Sequence, residues 1–229
     1  MAPHSNAAMI LYYDVAPDAV ADHDDWHTHE HMAERVSIPG FLRGSRWTAE
    51  EGGPRYLIMY EVAGVEVLSG AAYLERLNNP TPWTSRIMTQ VRGSMVRGFC
   101  RLRASSGFGR GGFIVSTRHS AAAGREDKLR EWLAQALPGI SSKPGIASCH
   151  LFEPAARPAM TREQSIRGKD ADASSVLLVS GYDRDRIGAV ADGELALERF
   201  QQHGAAESVR ATYRLAFSLS KREVADDSR

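Results

Sequence analysis

The residues with the clearest chemical potential lie in one stretch, DHDDWHTHEHMAERV. His23, His27 and His31 are spaced four residues apart, so on a helix they share one face. Glu30 and Glu34 lie beside that stripe. Imidazole titrates near neutral pH and also binds divalent metals, so this combination predicts either proton transfer or metal binding.

Three interpretations of the stretch stay open from the residues alone. Histidines at i and i+4 are typical of helical zinc sites, but no HExxH pattern and no evident third ligand are present, so no metal is expected. In the second interpretation His31 is a general acid or base that Glu30 or Glu34 orients. In the third, His23 and His29 are surface residues and a single buried histidine is hydrogen-bonded within the core.

The elements that must position these residues follow from hydrophobic periodicity and from Pro and Gly punctuation. They give the order β-α-β-β-α-β twice. The first unit is predicted as strand 9–15, helix 22–37, strands 41–48 and 55–62, helix 65–77 and strand 92–103, with a loop at Pro80–Trp83. The second is predicted as strand 113–118, helix 126–137, strands 146–152 and 176–182, helix 187–202 and strand 208–220.

Matching punctuation in the two halves indicates an internal duplication. Trp26 precedes the first Pro-Gly pair by 13 residues, and Trp132 precedes the second by 12. Each pair lies between the first helix and the second strand of its unit. We therefore expect a tandem duplication, with a first module over residues 1–104 and a second over 113–221.

Three further segments complete the predicted organisation. Residues 105–112, rich in Gly, form a linker, and residues 222–229 form a C-terminal tail. Residues 154–173 interrupt the second hairpin and are rich in Pro, Ala, Arg, Asp and Ser. Such an insertion is either a disordered or surface segment or a lid over an active site.

The repeated order predicts an α+β fold in which two fused ferredoxin-like βαββαβ modules pack sheet to sheet as an α/β barrel of the dimeric type. A four-stranded sheet with helices on one face must bury its other face. On the fourth strand we expect the helices to cover Val96, Gly98, Cys100 and Leu102, and the opposite sheet to cover Met95, Arg97, Phe99, Arg101 and Arg103. Similar mixed faces are predicted for Phe41, Arg43, Ser45 and Trp47, and for Ile146, Ser148, His150 and Phe152.

These mixed faces have two interpretations. Packed together, they would make a partly polar interior that holds a ligand. Alternatively, the arginines ring the rim of the barrel and reach solvent.

Composition excludes several classes of partner. The chain has 229 residues with 28 Lys+Arg against 28 Asp+Glu, whereas nucleic-acid and anionic-lipid binders usually carry a basic excess. It has no run of 18 apolar residues and no signal-peptide pattern, so we expect a cytoplasmic protein without membrane contact. Cys100 and Cys149 lie in apolar, strand-like runs and are expected to be buried and reduced. The layout permits a monomer or a homodimer.

The run Trp26-x-x-x-Glu30-His31-x-x-Glu34-Arg35-x-x-x-Pro39-Gly40-Phe41 resembles the signature of the EthD-like family of the dimeric α/β-barrel superfamily. The resemblance covers residues 9–103, and the second half matches in layout only because it lacks an equivalent of the Glu-His pair. It implies paired ferredoxin-like modules and a link to the breakdown of ethers and other organic compounds. Relatives in the superfamily include cofactor-free quinone-forming monooxygenases, polyketide cyclases, lactone isomerases and haem enzymes.

Residues and resemblance together predict a catabolic protein that performs acid/base chemistry without a cofactor on a small oxygenated or aromatic ligand, as a monooxygenase, isomerase or lyase. The predicted catalytic residues are His31 and Glu30. The predicted substrate-binding residues are Tyr13, Trp47, Tyr60, Arg97, Phe99, Arg101 and His150, with the two arginines stabilising a developing enolate or carboxylate.

Two alternatives to this function stay open. The degenerate second half is compatible with a non-catalytic binding or accessory protein. The superfamily resemblance also allows haem binding, for which His150 and His203 are the candidate ligands.

Overall fold

The structure is a computed structural model that describes residues 6–156, 161–168, 170–171 and 173–226. Within these residues the strands are β1 (Ala7–Val15), β2 (Phe41–Glu51), β3 (Tyr56–Val62), β4 (Val91–Gly107), β5 (Phe113–Ala121), β6 (Ile146–Pro154), β7 (Ser175–Gly181) and β8 (Ala205–Ser220). The helices are α1 (Val20–Trp26), α2 (Met32–Ser37), α3 (Ala71–Asn78), α4 (Pro82–Met88), α5 (Glu126–Ser141), α6 (Arg162–Arg167), α7 (Arg184–Asp192), α8 (Leu197–Gln202) and α9 (Lys221–Asp226). A π-helical turn, His27–His31, joins α1 to α2, and 3₁₀ turns lie at Pro17–Ala19 and Val65–Ser69.

The strands close into an antiparallel barrel in the order β1-β3-β2-β8-β5-β7-β6-β4. Each half contributes four neighbouring strands in the ferredoxin-like order, β4-β1-β3-β2 and β6-β7-β5-β8. Two seams join the halves: β2 pairs with β8, and β4 pairs with β6. Because both seams are hydrogen-bonded ladders, the eight described strands form a closed barrel without an open edge among them. The predicted fold class is confirmed.

The predicted linker begins too early in the chain. Ser105, Ser106 and Gly107 belong to β4, where they pair with His150, Cys149 and Ser148 of β6. A Cβ on Gly107 would lie 2.3 Å from the carbonyl oxygen of Ala147, so glycine is required there by close backbone approach. The glycine and serine content of this segment therefore reflects the seam that closes the barrel, and not flexibility.

Several predicted helices have different bounds. The helix predicted over 65–77 is a 3₁₀ turn followed by α3, with the break at Gly70, and that predicted over 187–202 divides into α7 and α8 around Gly193. The predicted loop at Pro82 is helix α4, because Thr81 accepts a hydrogen bond from the Thr84 amide as its N-cap. The predicted tail begins with α9.

The prediction of which face of β4 the helices cover is wrong. Met95 and Phe99 pack with the helices of the first module, whereas Cys100, Val96 and Leu102 pack inside the barrel. Alternation identifies two faces but not which one the helices cover. The helix-facing side of β4 tolerates its polar residues because the structure supplies them with partners, as described below.

Bulges also shift two predicted faces. Irregularities between Phe41 and Arg43 in β2, and between Ile146 and Ser148 in β6, turn the first residue of each strand toward the helices. Ser148, His150 and Phe152 share the barrel interior, as predicted.

Close packing fixes the histidine-bearing helix on its sheet. A Cβ on Gly44 of β2 would lie 1.9 Å from the sulfur of Met32 in α2, so any larger residue there requires Met32 to move. Gly40 and Gly145, the glycines of the two Pro-Gly turns, both have a φ of 88°, which confirms the turns predicted there.

The cysteines lie where the sequence predicts. Cys100 and Cys149 are buried and free, and burial raises the pKa of each thiol to about 12. In the part of the chain that the structure describes, none of the helices combines the length and apolar character needed to cross a bilayer.

Candidate functional site

The three histidines of the stripe lie on the inner face of the first helix. His23, His27 and His31 are 0%, 1% and 7% exposed, and neighbouring rings in the stripe are 5.6 and 5.7 Å apart. The expectation that His23 is a surface residue is wrong, because its ring stacks on Tyr56 of the sheet at 4.1 Å, whereas His29 is exposed as expected. The π-helical turn begins at His27 and ends at His31, and such turns are frequent at functional sites.

A small cavity of about 30 Å³ lies between this helix and the first module's sheet, and we call it the first-module cavity. The sheet contributes Tyr13, Tyr60 and Arg97, and the helix contributes His27 and His31. The other lining residues are Met9, Leu11, Trp26, Arg35, Ile58, Tyr73, Met88, Met95 and Glu163. The walls are therefore largely aromatic and apolar, with a few convergent polar groups, as is usual for small-molecule sites.

The polar groups on the helix side are paired with the sheet or with one another. The Nδ1 atom of His31 lies 3.7 Å from the Oε2 atom of Glu34, and Nε2 of His27 lies 3.3 Å from the hydroxyl of Tyr60. Burial lowers the pKa of His27 well below its ordinary value and raises the pKa of Glu34. His27 is therefore neutral at pH 7.

The insertion in the second module covers this cavity of the first. Helix α6 packs against α3 and α4, and the capping box between Thr161 and Gln164 fixes its start. Glu163 forms an ion pair of 2.5 Å with Arg35, and Asp170 forms one of 2.9 Å with Arg97. All four of these paired side chains are less than 9% exposed.

For its described part, the insertion packs over the cavity and is not a separate surface segment. Residues 161–168 and 170–171 are an ordered cover whose carboxylates neutralise two buried arginines. Residues 157–160, 169 and 172 of the predicted insertion lie outside the described residues.

Glu30 does not face His31. Its carboxylate accepts a 2.6 Å hydrogen bond from Thr81, the N-cap of α4, and a weaker one from Thr84. Successive helix residues point in different directions, and here Glu34, one turn later, is the carboxylate beside the imidazole. Glu30 thus ties α4 to the π-helical turn.

Trp47 and His150 line a second cavity, also of about 30 Å³, inside the barrel. His150 Nε2 lies 3.0 Å from the hydroxyl of Ser148, which itself donates to the carbonyl of Gly109, so the ring carries its proton on Nε2. Its Nδ1 atom therefore accepts the hydrogen bond from Ser105. Burial lowers the pKa of His150 to about 4, so this imidazole is neutral and fully hydrogen-bonded.

The last two predicted residues line neither of these cavities. Phe99 is buried under the helices, with the Arg97 guanidinium 5.2 Å from its ring centroid. Arg101 is exposed. His203, a candidate haem ligand, stacks on Trp132 at 4.3 Å, and haem binding on His150 or His203 stays a prediction.

Sequence reasoning missed several lining residues. His27 was visible in the stripe and Arg35 in the Glu-His run, but neither was assigned to the site. Tyr73 lies in the second helix without a neighbouring motif, and Glu163 lies in the insertion, so no local pattern connects either to His31. In the portion of the chain that the structure describes, no group of three or more potential metal ligands comes together.

Comparisons with known proteins give structural neighbours only. No protein-family profile matches the chain, and no curated protein matches it. An anthrone oxidase-like protein aligns with a TM-score of 0.71 at 12% identity over 96% of each chain. A candidate monooxygenase from Fusobacterium nucleatum aligns with a TM-score of 0.60 at 12% identity, over 95% of this chain and 96% of that one. A candidate monooxygenase from Lactobacillus acidophilus aligns with a TM-score of 0.55 at 8% identity, over 94% and 96%.

The chain has the fold of the dimeric α/β-barrel proteins. At these identities the likeness establishes architecture and not activity. The resemblance to the EthD-like family stays a prediction.

Proposed function

We propose that this chain is an enzyme that performs acid/base chemistry, without a cofactor, on a small oxygenated aromatic compound in the first-module cavity. The observation that carries the proposal is His31, which lines a buried cavity beside Glu34 and among tyrosine hydroxyls. The candidate monooxygenases and the anthrone oxidase-like protein among the structural neighbours fit this class of chemistry.

The walls of the cavity argue for a flat, largely apolar ligand. With the side chains as they stand, the cavity measures about 30 Å³, room for one or two water molecules, so a ring system enters only when lining side chains move aside. Tyr13, Tyr60 and Trp26 offer ring faces, and Met88 and Met95 offer thioethers that adapt to aromatic surfaces. The aromatic faces and the few polar groups suit a compound of two or three fused rings with one or two oxygens.

His31 is the group proposed to move the proton. Its imidazole faces the cavity, and the Glu34 carboxylate 3.7 Å away stabilises the imidazolium that proton abstraction creates. His27 is neutral and lies against the Tyr60 hydroxyl, so it positions that hydroxyl toward the ligand.

The two buried arginines are proposed to stabilise negative charge on the ligand. Arg35 and Arg97 line the cavity and are held by Glu163 and Asp170, so their donors are fixed before a ligand arrives. Donors that are already oriented stabilise a developing enolate or phenolate without reorganisation. The role first predicted for Arg101 is not proposed, because its side chain is exposed.

Anthrone is a suitable first substrate to test, since a structural neighbour is described as anthrone oxidase-like. Abstraction of a ring CH₂ proton by His31 gives an enolate, whose electrons reduce dioxygen. The sum, anthrone plus dioxygen giving anthraquinone plus water, balances without a cofactor. Oxygen uptake and anthraquinone formation are measured for the wild type, His31→Gln and His29→Gln.

The matched pair of variants makes this assay decisive. His29 is exposed on the same helical turn, so its substitution controls for loss of a histidine in the sequence without touching the cavity. Loss of turnover in His31→Gln alone supports the proposal. Equal turnover in both variants contradicts it, and binding of anthrone without turnover by the wild type supports the non-catalytic alternative.

A further inference from the structure

A chain of hydrogen bonds leads from the first-module cavity to the protein surface. The hydroxyl of Tyr13, which lines the cavity, lies 2.8 Å from Nε2 of His23. The Nδ1 atom of the same ring lies 3.1 Å from Oδ1 of Asp24. His23 is 0% exposed, whereas the Asp24 side chain is 35% exposed. A buried imidazole therefore bridges a cavity hydroxyl and a carboxylate that reaches water.

The partners of Asp24 fix the direction of these hydrogen bonds. Burial by itself raises the pKa of Asp24, but the hydrogen bond from His23 and the charge of Arg46 bring it below its ordinary value. Asp24 is therefore an ionised acceptor, and Nδ1 of His23 carries the proton. Nε2 is then the acceptor for the Tyr13 hydroxyl.

The surroundings keep the His23 ring neutral and in place. Burial lowers its pKa, and Arg46 and Arg55 act in the same direction. The ring stacks on Tyr56, whose hydroxyl donates to Asp24 at 2.9 Å, and it contacts Trp26, His27 and Tyr13 edge-on or stacked. Burial raises the pKa of Tyr13 well above its ordinary value, so this residue passes protons on as a hydroxyl and does not persist as a tyrosinate.

We propose that Tyr13, His23 and Asp24 form a proton relay between the first-module cavity and solvent. A proton that arrives on the Tyr13 oxygen displaces the hydroxyl proton to Nε2 of His23, and the Nδ1 proton passes through Asp24 to water. The inference rests on the proposed function for its purpose, because a base in a covered cavity must exchange its proton before the next turnover. The exchange itself occurs with or without a substrate.

Tyr12 is the matched control within the same strand. It is buried like Tyr13, but it points into the barrel, where its hydroxyl is hydrogen-bonded to Ser116 at 2.7 Å. Both hydroxyls are thus shielded from water, and only that of Tyr13 has an imidazole and a half-exposed carboxylate behind it.

The test is the hydrogen–deuterium exchange rate of tyrosine hydroxyls, read by NMR from the isotope shift of the Cζ carbons. We expect the Tyr13 hydroxyl to exchange about 10-fold faster than that of Tyr12, or more, and to slow to the Tyr12 rate in Asp24→Asn and His23→Gln. The Asp24 substitution is at a half-exposed site, so this variant keeps the test available if the buried one does not fold. A Tyr13 rate equal to that of Tyr12 in the wild type, or unchanged in folded Asp24→Asn, overturns the relay.

Turnover of anthrone provides an independent measurement. If the proposed function holds, Asp24→Asn lowers kcat about 10-fold and leaves KM unchanged, because the variant slows proton exchange and not binding. Absence of turnover in the wild type contradicts the proposed function alone, since the hydroxyl exchange rates support or contradict the relay by themselves.

Discussion

The two modules share one backbone plan but differ in what lies under the first helix. In β1 and β3, Tyr13 pairs with Tyr56, and the corresponding residues of β5 and β7 are His119 and Ser175. Under the first helix of the first module lie histidines, tyrosines and arginines. The inner face of α5, the first helix of the second module, consists of Leu129, Leu133, Leu137 and Ile140. The same topology therefore carries a cavity with buried polar and charged groups in one module and an aliphatic core in the other.

The insertion is the second difference between the modules. It belongs to the hairpin of the second module, but its carboxylates pair with Arg35 and Arg97 of the first. One module thus supplies the site, and the other supplies its cover and the neutralising charges. Two halves of one chain can differ in this way, whereas two identical subunits cannot.

The largest expected effect is on catalysis in the first module. We expect His31→Gln to lower anthrone turnover by about 10²–10⁴-fold, the usual contribution of a general acid or base. The variant keeps a planar polar side chain, so its melting temperature should remain close to that of the wild type. Steady-state oxygen uptake together with a thermal melt checks both parts, and a lowered melting temperature with full activity would contradict the assignment.

The next largest effect is expected on stability, when the ion pair between Asp170 of the second module and Arg97 of the first is removed. Asp170→Ala leaves the Arg97 guanidinium buried without its carboxylate, which typically lowers the free energy of unfolding by about 3–5 kcal/mol. Glu194→Ala, which removes an exposed partner of Lys143, is the control and should have a much smaller effect. Urea denaturation of the three proteins measures the difference, and equal midpoints would show that the cover does not hold the arginine.

The second module should respond to truncation in stability and not in chemistry. Leu133 is 0% exposed, so Leu133→Ala should reduce the free energy of unfolding by about 2–5 kcal/mol. Turnover per folded molecule should stay at the wild-type value, because Leu133 does not line the first-module cavity. A specific loss of kcat in this variant would contradict the division of roles between the modules.

Acid should destabilise both modules through their buried neutral histidines. Burial lowers the pKa of His150 to about 4, so the unfolded chain binds a proton at higher pH than the folded one. Stability from this residue is complete above the unfolded pKa and falls as the pH drops, by about 2 kcal/mol between pH 7 and 5. Urea denaturation at both pH values measures the free energy of unfolding. We expect this free energy to depend less on pH in His150→Gln and in His27→Gln than in the wild type. An equal dependence in all three proteins would contradict the role of the buried histidines.

The smallest effect is expected at Arg101. Because this side chain is exposed, Arg101→Ala should change the free energy of unfolding by less than about 0.5 kcal/mol and leave ligand binding unchanged. Arg97→Met, on the same strand, should weaken binding of the same ligand. Isothermal titration measures the affinity of each variant for the ligand. Equal affinities would contradict the assignment of Arg97, and not Arg101, to the binding site.

Local patterns predicted the architecture well because strands, turns and helix ends are set by neighbouring residues. The Pro-Gly turns, the strand order and the histidine stripe were all visible in the sequence. Of the predicted site residues, His31, Tyr13, Tyr60 and Arg97 lie around one cavity, whereas Trp47 and His150 line another.

The remaining errors have a common physical cause. Whether Arg97 faces the helices or the barrel depends on Asp170, which is 73 residues away in the chain, and no local pattern contains that pairing. The same holds for Glu163 and Arg35. Tertiary charge pairing decides which face of a strand accepts a polar residue, and a single sequence does not show it.

The most direct test of the account asks which cavity holds an aromatic ligand, and the chain contains its own reporters. Met9, Met88 and Met95 line the first-module cavity, and Met59 lines the cavity inside the barrel. Titration of ¹³C-methyl-methionine protein with 2-naphthol, followed by NMR, distinguishes the two. The account predicts shifts at the three first-module methyl groups with Met59 unchanged. A shift at Met59 alone, or at none of the four, would contradict it.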